Sequence, residues 1–304
     1  MKAPVRLLAL CGLLISLAPL AFADGVVVYN TIPNPLPPNV PSEPYEAVSS
    51  YEFGGLIQFA GNSSYSLSSA TVAMSDWALA STYSSQFGTT INGATITSSG
   101  FTVPLTLNLY NVGTGNAVGS LIGTDTINAF IPWRPEPTPS SCSGIYNPYL
   151  ASNGGCYNGL LSTVTFNLSG LNVPGEIVYG LSFNTTDYGT SPTGVLGPYD
   201  SLNFGLSESA PTVGSNPDPG TVYWETAYPG FYADKGAGGI GTFRADTGWV
   251  DPDKGDAPYS GAIEFETAAT PEPSSLLLLG TGLLGLAGVL FLRRKPSHAG
   301  LKAE

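Results

Sequence analysis

The middle of the chain alternates apolar and polar positions with a period of two. Phe101, Val103, Leu105, Leu107 and Leu109 take every second place, the spacing that turns one face of an extended strand to a core and the other to water. The same alternation recurs at Val164, Phe166 and Leu168, at Ile177, Tyr179, Leu181 and Phe183, at Leu202, Phe204 and Leu206, and at Ile263 and Phe265. Apolar or β-branched runs at 26–29, 56–59, 67–74, 121–129, 221–224 and 241–244 add further strand candidates. About ten or eleven strands with turn residues between them predict an all-β domain over residues 24–269. The expected architecture is an antiparallel β-sandwich of jelly-roll type. No helical periodicity interrupts this stretch. The connections are long: 31–44 holds six prolines and is expected to run extended over the surface. Residues 130–156 and 215–256 form two more long loops, the kind of place where a rigid sandwich carries function.

The two ends follow a different pattern. Residues 1–23 place Lys2 and Arg6 before an apolar stretch from 7 to 18 and close on Ala21-Phe22-Ala23. That order predicts a secretory signal peptide, cut by signal peptidase after Ala23. At the other end an uncharged run, 276–292, spans roughly 26 Å as a helix, enough to cross a bilayer core. Gly280, Gly282, Gly285 and Gly288 lie in this run; they would weaken a helix in water but are common in membrane spans. Pro271-Glu272-Pro273 precedes the run and Arg293, Arg294 and Lys295 follow it.

This order, a Pro-Glu-Pro motif, a short Gly/Leu-rich span and a basic cluster at 270–295, resembles the PEP-CTERM sorting signal of bacterial surface proteins. The resemblance implies recognition by the membrane-embedded processing enzyme exosortase and cleavage near Pro271-Glu272-Pro273. It implies a precursor held in the inner membrane and a product at the cell surface or outside the cell, with 296–304 as a cytoplasmic tail. An unprocessed membrane anchor would present the same span and basic stop.

Charge agrees with that orientation. From Asp24 to Pro273 there are 4 basic and 21 acidic residues, a net of −17, whereas Arg293 to Glu304 carries a net of +3. The basic side stays in the cytoplasm. The acidic exterior lacks the basic footprint that nucleic acid or an anionic membrane surface requires.

Absences narrow the chemistry further. The one histidine, His298, lies in the tail, so the exterior domain has no imidazole for a Ser-His-Asp or Cys-His arrangement and no histidine for zinc. Once Cys11 leaves with the signal peptide, Cys142 and Cys156 remain. In an oxidising compartment they are expected to form a disulfide around a loop bearing Tyr146 and Tyr149. Asp251, Asp253 and Asp256 cluster around Gly255 and are candidate calcium ligands, although Asp, Pro and Gly are also ordinary turn residues. Trp224, Tyr228 and Trp249 are candidate sugar-stacking rings, with burial in the core as the alternative.

The expected role is therefore a non-enzymatic surface or extracellular-matrix protein, associated with exopolysaccharide or biofilm and with no catalytic residues or obligate cofactor. Two other readings stay open: a carbohydrate-binding module, and a glycoside hydrolase using a pair of carboxylates that no spacing identifies.

Overall fold

The computed structural model describes residues 25–61, 63–91, 93–251, 257–268 and 283–285. Its early strands, in chain order, are β1 (Val26–Asn30), β2 (Ser42–Pro44), β3 (Ser50–Gln58), β4 (Ser64–Asp76), β5 (Thr89–Ile91), β6 (Ala94–Ile96), β7 (Gly100–Val112), β8 (Val118–Pro132), β9 (Tyr149–Leu150) and β10 (Cys156–Tyr157). There follow β11 (Leu160–Pro174), β12 (Glu176–Ser182), β13 (Leu202–Ser207), β14 (Thr221–Thr226), β15 (Arg244–Thr247), β16 (Val250–Asp251), β17 (Ala257–Pro258), β18 (Ser260–Gly261) and β19 (Ile263–Thr267). Every strand-to-strand ladder is antiparallel.

Two sheets dominate. One runs β1-β19-β4-β13-β18, with β11 on the far side of β4 and β2 on β13; the other runs β15-β14-β3-β12-β7-β6-β5, with β8 also on β7. The alternating residues explain why the sheets meet. Phe101, Val103, Leu105, Leu107 and Leu109 are all 0–1% exposed and join Phe166, Phe204, Ile263 and Phe265 from the opposite sheet in one core. Ring contacts cross the gap, Phe53 to Phe204 at 6.3 Å and Tyr179 to Phe265 at 6.2 Å. Each such side chain contributes about 1.5–3 kcal/mol by leaving water, so the period-two pattern selects the sandwich.

The proline-rich stretch does run over the surface. Its Ile32 and Val40 pack on Ala73, Leu161 and Ala262, and it enters the sheet edge as β2. Several strands differ from their expected bounds: β3 begins at Ser50 instead of 56, β4 at Ser64 instead of 67, β8 at Val118 instead of 121, and β15 at Arg244 instead of 241. Gly241 has φ +74°, a left-handed turn conformation that ends extended pairing. A helical turn at Ala80–Tyr83 and a 3-10 turn at Ser84–Gln86 are too short to leave any periodicity in the sequence.

The domain has two poles. Val26 pairs with Thr267, Thr267 with Leu67, and the Ala268 amide donates to the Ser66 carbonyl, so both ends of the domain lie at one pole. Asp76 at the far end of β4 pairs with Leu160 and Leu202. At about 3.3 Å per residue that pole is roughly 30 Å from Leu67.

Among the described residues no helix is long and apolar enough to cross a membrane. The signal peptide, Pro271, Glu272, Pro273, Arg293, Arg294, Lys295 and most of 276–292 lie outside the described residues. Residues 283–285 are helical.

Candidate functional site

The structure separates the three aromatic residues singled out in the sequence. Trp224 is 0% exposed and cannot offer a face to a ligand. Its alternation with Val222 places it on the inner side of β14, where it packs on Phe53 at 6.1 Å and Trp249 at 4.9 Å, and its Nε1 donates to Ser50 Oγ at 2.6 Å. Trp249 is half-buried against the same core, its Nε1 on Asp246 Oδ2 at 3.0 Å. Tyr228 is 53% exposed and lies 4.8 Å from the Phe231 ring. Burial removes Trp224 from the stacking set and leaves Tyr228 as its most exposed ring. Asp251 is 7% exposed on β16, while Asp253 and Asp256 lie outside the described residues. Among the described residues no three His, Cys, Asp or Glu side chains group as metal ligands.

Cys142 and Cys156 form the disulfide, with Cα atoms 5.7 Å apart. The loop it closes lies at the pole away from the domain termini. Buried Arg134 braces this loop by donating from Nη1 to the Asn147 carbonyl at 3.2 Å and from Nη2 to the Tyr146 carbonyl at 3.3 Å. Tyr146 lies against Trp77 at 5.4 Å, and Tyr149 is buried with its hydroxyl donating to the Gly159 carbonyl. Ile145 at the tip is 90% exposed.

A cluster of chemically active groups stands elsewhere, on the outer face of β3, β7, β12 and β14. Outward positions alternate with the core positions, so Glu52 on β3, Asn108 and Tyr110 on β7 and Glu225 on β14 share one face, with Glu52 and Glu225 directly opposite each other. Asn108 Nδ2 donates to Glu52 Oε1 at 2.9 Å, and the Tyr110 hydroxyl lies 3.0 and 3.1 Å from the two Glu52 oxygens. Gly180 provides the room: a Cβ there would lie 2.0 Å from Glu52 Oε1. The rings of Tyr110 and Phe243 stand 5.4 Å apart, and both pack on the small outer core of Leu56, Val178 and Tyr223.

Burial pushes the Glu52 carboxyl up to about 7, against the pull of its Asn108 and Tyr110 hydrogen bonds and with the nearby Glu225 charge adding to the rise. Burial also raises Glu225. These carboxyls project side by side from one sheet face. A glycosidase instead sets its two carboxyls on either side of the bond it cuts.

Sequence reasoning missed all four cluster residues, Glu52, Asn108, Tyr110 and Glu225. Glu52 and Glu225 are far apart in the chain, and only Gly54-Gly55 and Gly180 inside strand-like runs hint at a close approach. A groove of about 760 Å³ lies at the terminal pole among Gln58, Asn111, Glu176 and Ser215. It is open and mixed in polarity, and Phe59 is the one aromatic among its described lining residues.

Compared with known proteins, residues 269–295 match the PEP-CTERM protein-sorting motif. No curated protein and no solved structure matches the chain. The motif marks an exported protein, first held at the membrane and then sorted to the surface, and PEP-CTERM domains are processed by exosortase.

Proposed function

We propose, from the sorting motif at 269–295, that this chain is an exosortase substrate whose acidic β-sandwich works outside the cell as a non-enzymatic component of the surface or extracellular matrix. Signal peptidase removes 1–23, the run 276–292 holds the precursor in the inner membrane, and cleavage near Pro271-Glu272-Pro273 frees the domain. We read the repeated crossing of the chain between its two sheets as jelly-roll-like winding. Three features support a binding or scaffold role over turnover. The exterior domain has no histidine, both of its cysteines are joined, and Glu52 and Glu225 share one flat face instead of opposing each other across a cleft.

The motif carries the reading, and replacing it tests the reading. Alanines at Pro271, Glu272 and Pro273, or neutral residues at Arg293, Arg294 and Lys295, are expected to leave the protein membrane-held and unprocessed. An unchanged mature mass and cellular distribution in both variants would exclude sorting by this tail. Steady release of reducing sugar from a polysaccharide, lost when one Asp or Glu becomes its amide, would replace the non-enzymatic reading with hydrolysis.

A further inference from the structure

Glu52 and Glu225 are an unusual pair to place opposite each other. Like charges on directly paired positions of adjacent strands repel, and nothing in the core requires either carboxyl. Glu52 leans over Gly180 and is held by Asn108 and Tyr110. The Glu225 carboxyl accepts no hydrogen bond from any described residue, although Glu225 is half-buried. Among the described residues no lysine or arginine bonds to either. Arg244 is spent on Asp234, at 2.7 and 2.9 Å, with its guanidinium over the Tyr232 ring. Arg134 serves the stapled loop at the far pole.

Beside this uncompensated pair stand the Tyr110 and Phe243 rings. Carboxylates next to aromatic rings are the arrangement that receives an ammonium group, through charge on one side and the ring quadrupole on the other. Rings also stack on the C–H faces of a pyranose. An acidic domain of net −17 disfavours anionic polymers and attracts cationic ones.

We infer that this face binds amino-sugar residues of a cationic polysaccharide, the ammonium seated between Glu52 and Glu225 and the sugar ring against Tyr110 and Phe243. The inference rests on the binding role proposed above and names its ligand class. Burial holds the Glu52 carboxyl at about 7, so at about pH 6, where the sugar amines are already charged and Glu52 still holds its proton, an arriving ammonium drives Glu52 to ionise and binding releases a proton.

The test is calorimetric titration of the full-length protein with fully deacetylated glucosamine tetramer and with its N-acetylated counterpart. Glu225→Gln is expected to weaken the deacetylated tetramer at least tenfold. Glu266→Gln, which removes the same charge from the outer face of the opposite sheet, is expected to change it less than twofold. Heats measured in two buffers of different ionisation enthalpy are expected to show proton release that Glu52→Gln abolishes. Equal weakening by Glu225→Gln and Glu266→Gln would reduce the effect to bulk charge and overturn the site. Equal binding of the N-acetylated tetramer, or no binding of either, would overturn the ammonium assignment. Any of these results would leave export and sorting, which are read from processing alone, where they stand.

Discussion

Replacing Glu43 with glutamine should flatten the dependence of the domain's stability on pH. Glu43 on β2 is 2% exposed, and its Oε1 accepts from Ser50 Oγ at 3.0 Å. Ser50 Oγ in turn accepts from Trp224 Nε1, so the carboxyl ends a buried chain of donors. Burial lifts it from an ordinary 4.5 to about 8, against the pull of the Ser50 bond. A carboxyl raised in this way keeps its proton in the folded chain where the unfolded chain has lost it. Its contribution is therefore complete below about pH 4.5 and lost as pH climbs toward 8. One extra bound proton corresponds to about 1.4 kcal/mol per pH unit. Between pH 5.5 and 7.5 Glu43 alone accounts for about 3 kcal/mol, or roughly 5–10 °C in melting temperature for a domain of this size. Glutamine preserves the acceptor for Ser50 and carries no titrating proton. Any pH-independent cost of its amide offsets the curve without changing its slope. Thermal unfolding followed by circular dichroism from pH 5.0 to 8.5 measures that slope. The Glu43→Gln curve should fall less steeply than the parent's, and adding Glu52→Gln should flatten it further between pH 4.5 and 7. Parallel curves for parent and Glu43→Gln would refute the reasoning.

Other perturbations have equally direct outcomes. Replacing Cys142 and Cys156 with serine should cost about 3 kcal/mol in unfolding free energy, and thiol labelling of the unreduced exported domain should find no free sulfhydryl. Gly180→Ala forces Glu52 off its Asn108 and Tyr110 partners and should destabilise by about 1–3 kcal/mol, read as a lower denaturant midpoint. Trp224→Phe loses the bond to Ser50 and should cost about 1 kcal/mol or more, while glucosamine-tetramer affinity stays at the parent value because this indole faces the core.

The strands were legible wherever inward positions are all large and apolar. Phe101 to Leu109 and Ile177 to Phe183 declare their buried face without any knowledge of the fold. The first half of β3 and the serine-rich start of β4 were harder, because Ser50, Glu52, Gly54, Ser64 and Ser66 mimic loop composition. Their pairing becomes visible only when β14 and β11 are laid beside them. Trp224 shows a different limit. Composition marks an aromatic-rich stretch, but whether a ring faces core or solvent depends on which side of β14 it occupies, and that follows from register with β3. The Glu52–Glu225 pair is a long-range cross-strand contact, so no local spacing encodes it. The sorting signal was readable in full because it is linear: its parts act in order along the chain and need no tertiary partner.

Both ends of the domain leave from one pole, and this determines how the sandwich carries a pull. β19, which leads into the tail, lies between β1 and β4 and is laddered to both. Ladder hydrogen bonds run perpendicular to the strands, so tension drawn through Ala268 along β19 loads both rows in shear. The bonds then share the force and yield together. A tail leaving across the strand axis would peel the same bonds one at a time. Wherever the chain is held beyond Ala268, the last strand thus acts as a rivet line for the sandwich, and the stapled loop lies at the opposite pole.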